Sequence, residues 1–298
     1  MSALTRRDLV LLVALTLMWG INWPTMKLSL REITPLWFRA VTMGGGALVL
    51  LAFYAARGHD MRLPRRDILQ VLWLALPNII GWHCFSIIGL SHLASGRAAI
   101  LGFTMPVWTV LLGALLMGDK LTPRVWLSVV MATAGVGLLS VQEFAQIAGR
   151  PVGVAWMQAG AICWAAGTLL MRRTVTRLPN EAVTVWMLLM GAIFFCVVAA
   201  ALEPLPQPGQ FSAVMWASLA FGALVNYGYT QVIWFGMARR LPPTASAFSV
   251  MAVPLVGTAS ALAIVGEVPQ PLDGLAALCV MVAIASALLP PFRKRTVP

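Results

Sequence analysis

Apolar residues in this chain come in long runs, and the polar positions that interrupt them are regularly spaced. Ten runs stand out, at 9–29, 34–56, 67–91, 97–117, 122–142, 152–172, 182–202, 211–237, 244–265 and 272–291. Each is close to the ~20 residues that a helix rising about 1.5 Å per residue needs to cross a bilayer core of roughly 30 Å. Charges, prolines and glycines gather between the runs, and the connections are short, so successive helices are expected to be antiparallel. No connection has room for a soluble domain. Arg6 and Arg7 precede the first run as they would in a signal peptide. That run continues through Trp19, Asn22 and Trp23 with no small-residue cleavage site, and reads as a retained helix. The pattern predicts an all-α integral membrane protein of ten transmembrane helices.

Composition removes the soluble alternatives. Of 298 residues 60% are hydrophobic and 10% charged, with a mean hydropathy of +0.85. A soluble domain has about 45–50% and about 25%. The net charge of +11 is explained by where the charges sit. With the N-terminus inside, sixteen of the 21 basic residues fall on inner segments, and only Arg31, Arg97 and Arg150 on outer loops. The remaining two, Lys27 and Arg39, lie near outer helix ends and are expected to snorkel to the interface. This positive-inside bias predicts cytoplasmic N- and C-termini, with the cations facing an anionic leaflet. It leaves no role for nucleic acid. The four cysteines (Cys84, Cys163, Cys196, Cys279) lie in apolar runs without ligand spacing and read as packing residues, so neither metal nor cofactor is expected.

The chain also repeats itself, 9–142 against 152–291, at an offset of 145–148. Trp19 and Lys27 answer to Trp164 and Arg172. Pro106 and Gly118-Asp119 answer to Pro254 and Gly266-Glu267, Asn78 to Asn226, and His83 to Gln231. Five helices per unit is an odd number, so the second copy enters the membrane inverted, which places a substrate site near the midplane between the halves. Trp19-Gly20-x-Asn22 with Lys27, the mid-helix prolines and the Gly-acid pairs resemble the EamA-type drug/metabolite transporters over about 9–291. The second copy departs from the pattern, with Trp164-Ala165-Ala166-Gly167 and no Asn opposite Asn22, so the site should be asymmetric. The aromatic content is similar to the amino acid exporters of the YddG type. The resemblance implies two inverted five-helix repeats around a central cavity lined by helices 1, 3, 4, 6, 8 and 9. It also implies residence in the bacterial inner membrane.

Polar side chains are costly in hydrocarbon unless they pair or face water, so those in mid-helix mark the interior. Helix 1 aligns Trp19, Asn22, Trp23 and Met26, and Pro24 frees the Gly20 carbonyl beside Asn22. Helix 3 aligns Asn78, Trp82 and Ser86 beside His83, and helix 8 offers Asn226 with Thr230 and Tyr227 with Gln231. Trp108 and Trp164 could stack an aromatic substrate, and Pro24, Pro106 and Pro254 are candidate hinges. The competing reading of each is structural: packing, interhelical hydrogen bonding or a static kink. Trp37, Trp126 and Trp216, near segment ends, read as interfacial anchors.

Hydrogen-bonding groups among aromatic rings suit a zwitterion with an apolar side chain. The expected function is export of small metabolites, amino acids foremost, by alternating access. A monomer is sufficient and an oligomer possible. A drug or other metabolite exporter is the alternative. A membrane-embedded enzyme is remote, because His59, His83 and His92 do not converge and every acid lies in a loop or at a helix end. That distribution also denies a cationic drug its buried counter-charge, and leaves His83 as the one central group titrating near neutral pH. Phosphorylated substrates lack a midplane Arg or Lys on the same reading.

Overall fold

Thr5 starts the first helix with a capping box, its hydroxyl accepting from the Asp8 N–H while the Asp8 carboxylate accepts from the Thr5 N–H. The computed structural model describes residues 5–118, 122–145, 152–230, 233 and 243–288. Helix α1 is Arg6–Ser29, and α2, with proline in its first turn, is Pro35–Ala56. Helix α3 runs through Arg65–Asp67, Ile68–Ala75, Leu76–Gly81 and Trp82–His92. Helix α4 comes in two pieces, Ser95–Gly102 and Met105–Met117. Then follow α5 (Pro123–Ala145), α6 (Val152–Arg173) and α7 (Asn180–Leu202). Helix α8 is Ala213–Ala220 continued by Phe221–Tyr229, α9 is Pro243–Val265 and α10 is Pro271–Leu288. All regular structure among the described residues is helical, and α1 to α7 are each long and apolar enough to cross a membrane. Leu69, Trp73, Leu116, Val197 and Leu278 are more than half exposed on the outside of the bundle, where acyl chains would solvate them.

The two halves are interleaved. The most extensive packing pairs α5 with α10, α2 with α7, α1 with α9 and α3 with α6, each pair drawing one helix from either half. One core cluster, around Trp23, Ile87, Leu101, Met157 and Val253, joins α1, α3, α4, α6 and α9. The other, around Met43, Leu74, Val185, Phe195 and Tyr227, joins α2, α3, α7 and α8.

Local backbone features recur at the offset seen in the sequence. A π-helical segment occupies Leu76–Gly81 of α3 and Phe221–Tyr229 of α8, each containing one of the paired asparagines, Asn78 and Asn226. Pro77, which has no N–H, opens the ladder in α3. Gly118 and Gly266 both adopt the left-handed conformation, at φ 72° and 71°, that a helix stop requires and that glycine takes without steric cost.

The three candidate hinge prolines behave differently. Pro24 and Pro254 sit inside unbroken helices. The freed Gly20 carbonyl faces the Ser260 hydroxyl of α9 at 3.5 Å. Around Pro106 the helix breaks at Phe103 and Thr104: the Thr104 and Val107 N–H groups bond in three-residue steps, and the Thr104 hydroxyl donates to the Leu101 carbonyl at 2.7 Å.

At the end where α2, α4, α8 and α10 begin, acids of one half cap helices of the other. Glu203 accepts from Thr34 Oγ1 at 2.6 Å and from the Leu36 and Trp37 N–H groups at 3.1 Å, at the start of α2. Glu267 accepts from Ser95 N and Oγ, both at 2.6 Å, at the start of α4. Glu32 accepts from Ser212 N and Oγ before α8. A helix N-terminus favours an anion through its free N–H groups and its dipole. At the same end the Lys27 ammonium, half-buried, donates to the Leu90 and Ser91 carbonyls near the end of α3. The Ser212 hydroxyl first, and its N–H second, hold the Glu32 carboxyl below its ordinary range. A lowered carboxylate value means the link is in place above that range and is lost as pH falls through it. In Ser212→Ala the Glu32 titration, followed by difference infrared spectroscopy, should move up toward an ordinary glutamate. An unchanged titration would contradict the assignment.

Candidate functional site

Three tryptophans from different helices meet in the interior. Trp82 of α3 stands edge-to-face between Trp23 of α1, at 6.4 Å and 83°, and Trp164 of α6, at 5.5 Å and 68°. Such contacts set the positive edge of one ring against the negative face of another. Glycines make the approach possible, Gly160 beneath Trp82 and Gly102 beneath Trp23. The next residue, His83, is buried with its ring 5.4 Å from that of Tyr227 on α8. Its Nδ1 lies 2.8 Å from the Ile79 carbonyl, which can only accept, so Nδ1 carries the proton.

A second polar group forms at the break in α4. Gln158 Oε1 accepts from the Trp108 indole N–H at 2.9 Å and lies 3.2 Å from the Thr104 hydroxyl, while Gln158 Nε2 donates to the Leu101 carbonyl at 3.4 Å. Trp108 is thus tied by its polar edge to α6. Gln158 is absent from the candidates read from the sequence, although a glutamine inside an apolar run carries the same signal as the asparagines that were chosen.

The other candidates are more dispersed. Asn78 is buried, donates to the Leu74 carbonyl of its own helix at 2.9 Å, and packs on Gly167 of α6. Asn22 is buried with its amide 3.5 Å from the Met26 sulfur, and Trp19 is half-buried against the first core cluster. Asn226 is half-buried in the π-helical segment of α8, where its carbonyl accepts from Thr230 Oγ1. Gln231 lies outside the described residues.

Two expectations need correction. Trp126 and Trp216 are more than half exposed, as anchors would be, but Trp37 packs on both core clusters with its indole nitrogen enclosed and unbonded among the described residues. Arg39 does not snorkel. It is 3% exposed, and its guanidinium donates to Tyr227 Oη at 3.0 Å and to Ser86 Oγ at 3.1 Å. Helix α2 is covered by α7 and α8 along this face, so a side chain four residues into the helix, about 6 Å along its axis, has no path to water. The interior therefore does hold a cation. Sequence position along the helix concealed it, although an arginine inside a spanning segment is itself a functional signal.

The model of the EamA-like transporter family matches this chain twice, over residues 7–141 and 151–289. The chain belongs to the EamA-like transporter family. It is similar to the uncharacterized transporter YvbV of Bacillus subtilis (strain 168), at 26% identity over 93% of this chain and 89% of that protein. It is also similar to a probable amino-acid metabolite efflux pump of Escherichia coli (strain K12), at 24% identity over 94% of each. A solved crystal structure superposes with a TM-score of 0.67 at 21% identity, covering 93% of this chain and 95% of that one, which shows the shared fold. As an EamA-like transporter the chain is an integral membrane protein. Its interior polar and aromatic side chains line helices that meet between the two halves.

Proposed function

We propose that this EamA-like transporter exports small amphipathic metabolites, amino acids foremost, from the cytoplasm of a bacterial cell. Transport runs by alternating access between two inverted five-helix halves, 9–142 and 152–291. The carboxylate-capped end faces outward and both termini face the cytoplasm, as the distribution of basic residues supports.

The observation that carries the reading is the set Trp23, Trp82 and Trp164 beside His83 and Tyr227, contributed by α1, α3, α6 and α8. It offers ring faces for an apolar side chain and hydrogen-bonding groups for a polar backbone within one region. Motion would use the places where the backbone is already irregular: the α4 break before Pro106 and the π-helical turns of α3 and α8. A substrate site there would comprise Trp19, Asn22, Asn78, Trp82, His83, Trp164, Asn226 and Tyr227, with Trp108 and Gln158 fixing α4 to α6 at its edge. The amino-acid metabolite efflux pump among the relatives supports the substrate class.

The test is uptake of labelled phenylalanine into liposomes holding the purified protein, competed by a panel of unlabelled amino acids. Aromatic and apolar amino acids should compete. Trp82→Ala should raise the half-saturating concentration about tenfold, the equivalent of ~1.4 kcal/mol of lost ring contact, with normal membrane insertion. A signal that does not depend on the protein, across the whole panel, would remove amino acids from consideration.

A further inference from the structure

The Arg39 guanidinium has donors to spare. Its two terminal nitrogens bond neutral hydroxyls, Tyr227 Oη and Ser86 Oγ, and its Nε is enclosed with no acceptor among the described residues. The ion pairs found among those residues are Arg97–Asp273 and Arg66–Asp67, and neither includes Arg39. Glu203 is engaged at the start of α2 with Thr34, Leu36 and Trp37. A full positive charge thus sits inside the bundle, and among the described residues its hydrogen bonds go to two neutral hydroxyls. Enclosed guanidinium groups are ordinarily matched by carboxylate or phosphate, whose paired oxygens fit the planar fork.

We infer that Arg39 is the receptor for the carboxylate of the transported molecule, with the Tyr227 hydroxyl as second donor. This rests on the reading that a small metabolite passes between the two halves. Tyr227 Oη accepts from Arg39 and retains its own proton to give to an anion. Arg39 and Ser86 belong to the first half and Tyr227 to the second, so the Arg39–Tyr227 bond crosses between them while the Arg39–Ser86 bond does not. In the arrangement seen here the guanidinium is enclosed. A carboxylate reaches it when α8 moves away from α2, and then takes the position that Tyr227 Oη occupies. The neighbouring His83 ring and the Trp82 cluster place apolar and aromatic surface on the same stretch of α3, where the rest of an aromatic amino acid would lie. The site then reads carboxylate at one end and side chain at the other, and an amine without a carboxylate is refused.

Labelled phenylalanine uptake in proteoliposomes is competed by 3-phenylpropionate, which keeps the carboxylate and lacks the amine, and by phenethylamine and phenylalaninamide, which lack the carboxylate. The acid should compete at least about tenfold better than either carboxylate-free compound, the range expected for a lost charge-assisted contact. Arg39→Met should abolish that preference and Arg39→Lys should keep part of it. Tyr227→Phe preserves the ring packing and should reduce the preference without abolishing it. Thermal melting of each purified variant separates lost recognition from lost folding. Equal competition by acid and amide in the native protein overturns the assignment while leaving an amino acid carrier standing. So does a folded Arg39→Met that still prefers the acid. If the native protein moves no amino acid, ligand-induced thermal shifts decide. Stabilisation by 3-phenylpropionate and not phenethylamine, lost in Arg39→Met, keeps the carboxylate receptor and discards the amino acid reading. No preference discards both.

Discussion

Asp273→Asn should lower the stability of the folded bundle by about 3–5 kcal/mol, because it takes the Asp273 counter-charge away from a buried guanidinium. Arg97 and Asp273 are 2.9 Å apart with side chains 6% and 7% exposed, and they tie the start of α4 to the start of α10. The second Asp273 oxygen accepts from the Gln270 N–H at 2.8 Å, closing the first turn of α10. Two charges taken out of water offset much of their lost hydration through each other, so the loss of one partner costs far more than the net worth of the pair. Arg97→Met should be damaging for the same reason, leaving a carboxylate without its counter-ion. The double variant Arg97→Met/Asp273→Leu should recover most of the loss, since neither member of this buried pair is left charged. Thermal unfolding of the native protein, Arg97→Met, Asp273→Leu and the double variant in one detergent completes the cycle, with Asp273→Asn measured beside them. A loss below ~1 kcal/mol in Asp273→Asn would mean that the pair is solvated and ordinary.

Gly46→Leu should be the most damaging glycine substitution in α2. A Cβ at Gly46 would lie 2.2 Å from the Tyr227 Cβ and 2.9 Å from the Ala223 carbonyl oxygen, and neither is the free end of a flexible side chain. Overpacking of this kind costs typically ~1–3 kcal/mol and more where backbone must move. Arg39, Thr42 and Gly46 follow one another at three- and four-residue steps, so they share the face of α2 that meets α8. Displacing α8 at Gly46 should therefore pull Tyr227 from Arg39, and transport should fall with stability. A graded series makes the claim sharp. At Gly45 the Cβ would sit 3.1 Å from the Ala223 Cβ, and Gly45→Ala should lose little. At Gly137 nothing lies within 4 Å, and Gly137→Ala should be neutral or slightly stabilising. Equal melting temperatures for Gly46→Leu and Gly137→Ala would refute the packing account.

Helix positions were legible in the sequence because hydrocarbon thickness fixes how long an apolar run must be and where charge can re-enter. Apart from the end of α8, whose run at 211–237 extends past the described residues, the helix ends fall within three residues of the runs read from the sequence. The paired Gly-acid motifs also carried real information, since Gly118 and Gly266 take the same left-handed conformation. The sequence could not rank the prolines. Pro24, Pro106 and Pro254 present the same missing donor, but the helix breaks just before Pro106, and there the Thr104 hydroxyl and the Gln158 amide take the Leu101 carbonyl. The π-helical turns were equally hidden: Pro77 opens the one in α3, but the one in α8 contains no proline to mark it. Arg39 and Trp37 were misjudged for one reason: the first turn of α2 looks interfacial until the course of α7 and α8 is known. Trp108 was read as a ring able to stack a substrate, and the sequence did not show that its indole nitrogen is engaged by a residue 50 positions away.

The interleaving of the halves sets the order in which this protein can be made. Helix α1 packs mainly on α9, and the Gly20 carbonyl and Ser260 hydroxyl that meet there are 240 residues apart. At roughly 5–20 residues per second of synthesis, the first helix waits on the order of 10–50 s in the bilayer before its principal neighbour exists. Arg39 waits similarly for Tyr227, 188 residues downstream. Throughout that interval a buried cation and the small-residue faces of α2 have no partner from the second half. The nascent first half is therefore a client for whatever insertion machinery shelters polar groups in lipid. A chain that ends before α8 holds the same arginine without the Tyr227 hydroxyl that meets it in the finished protein.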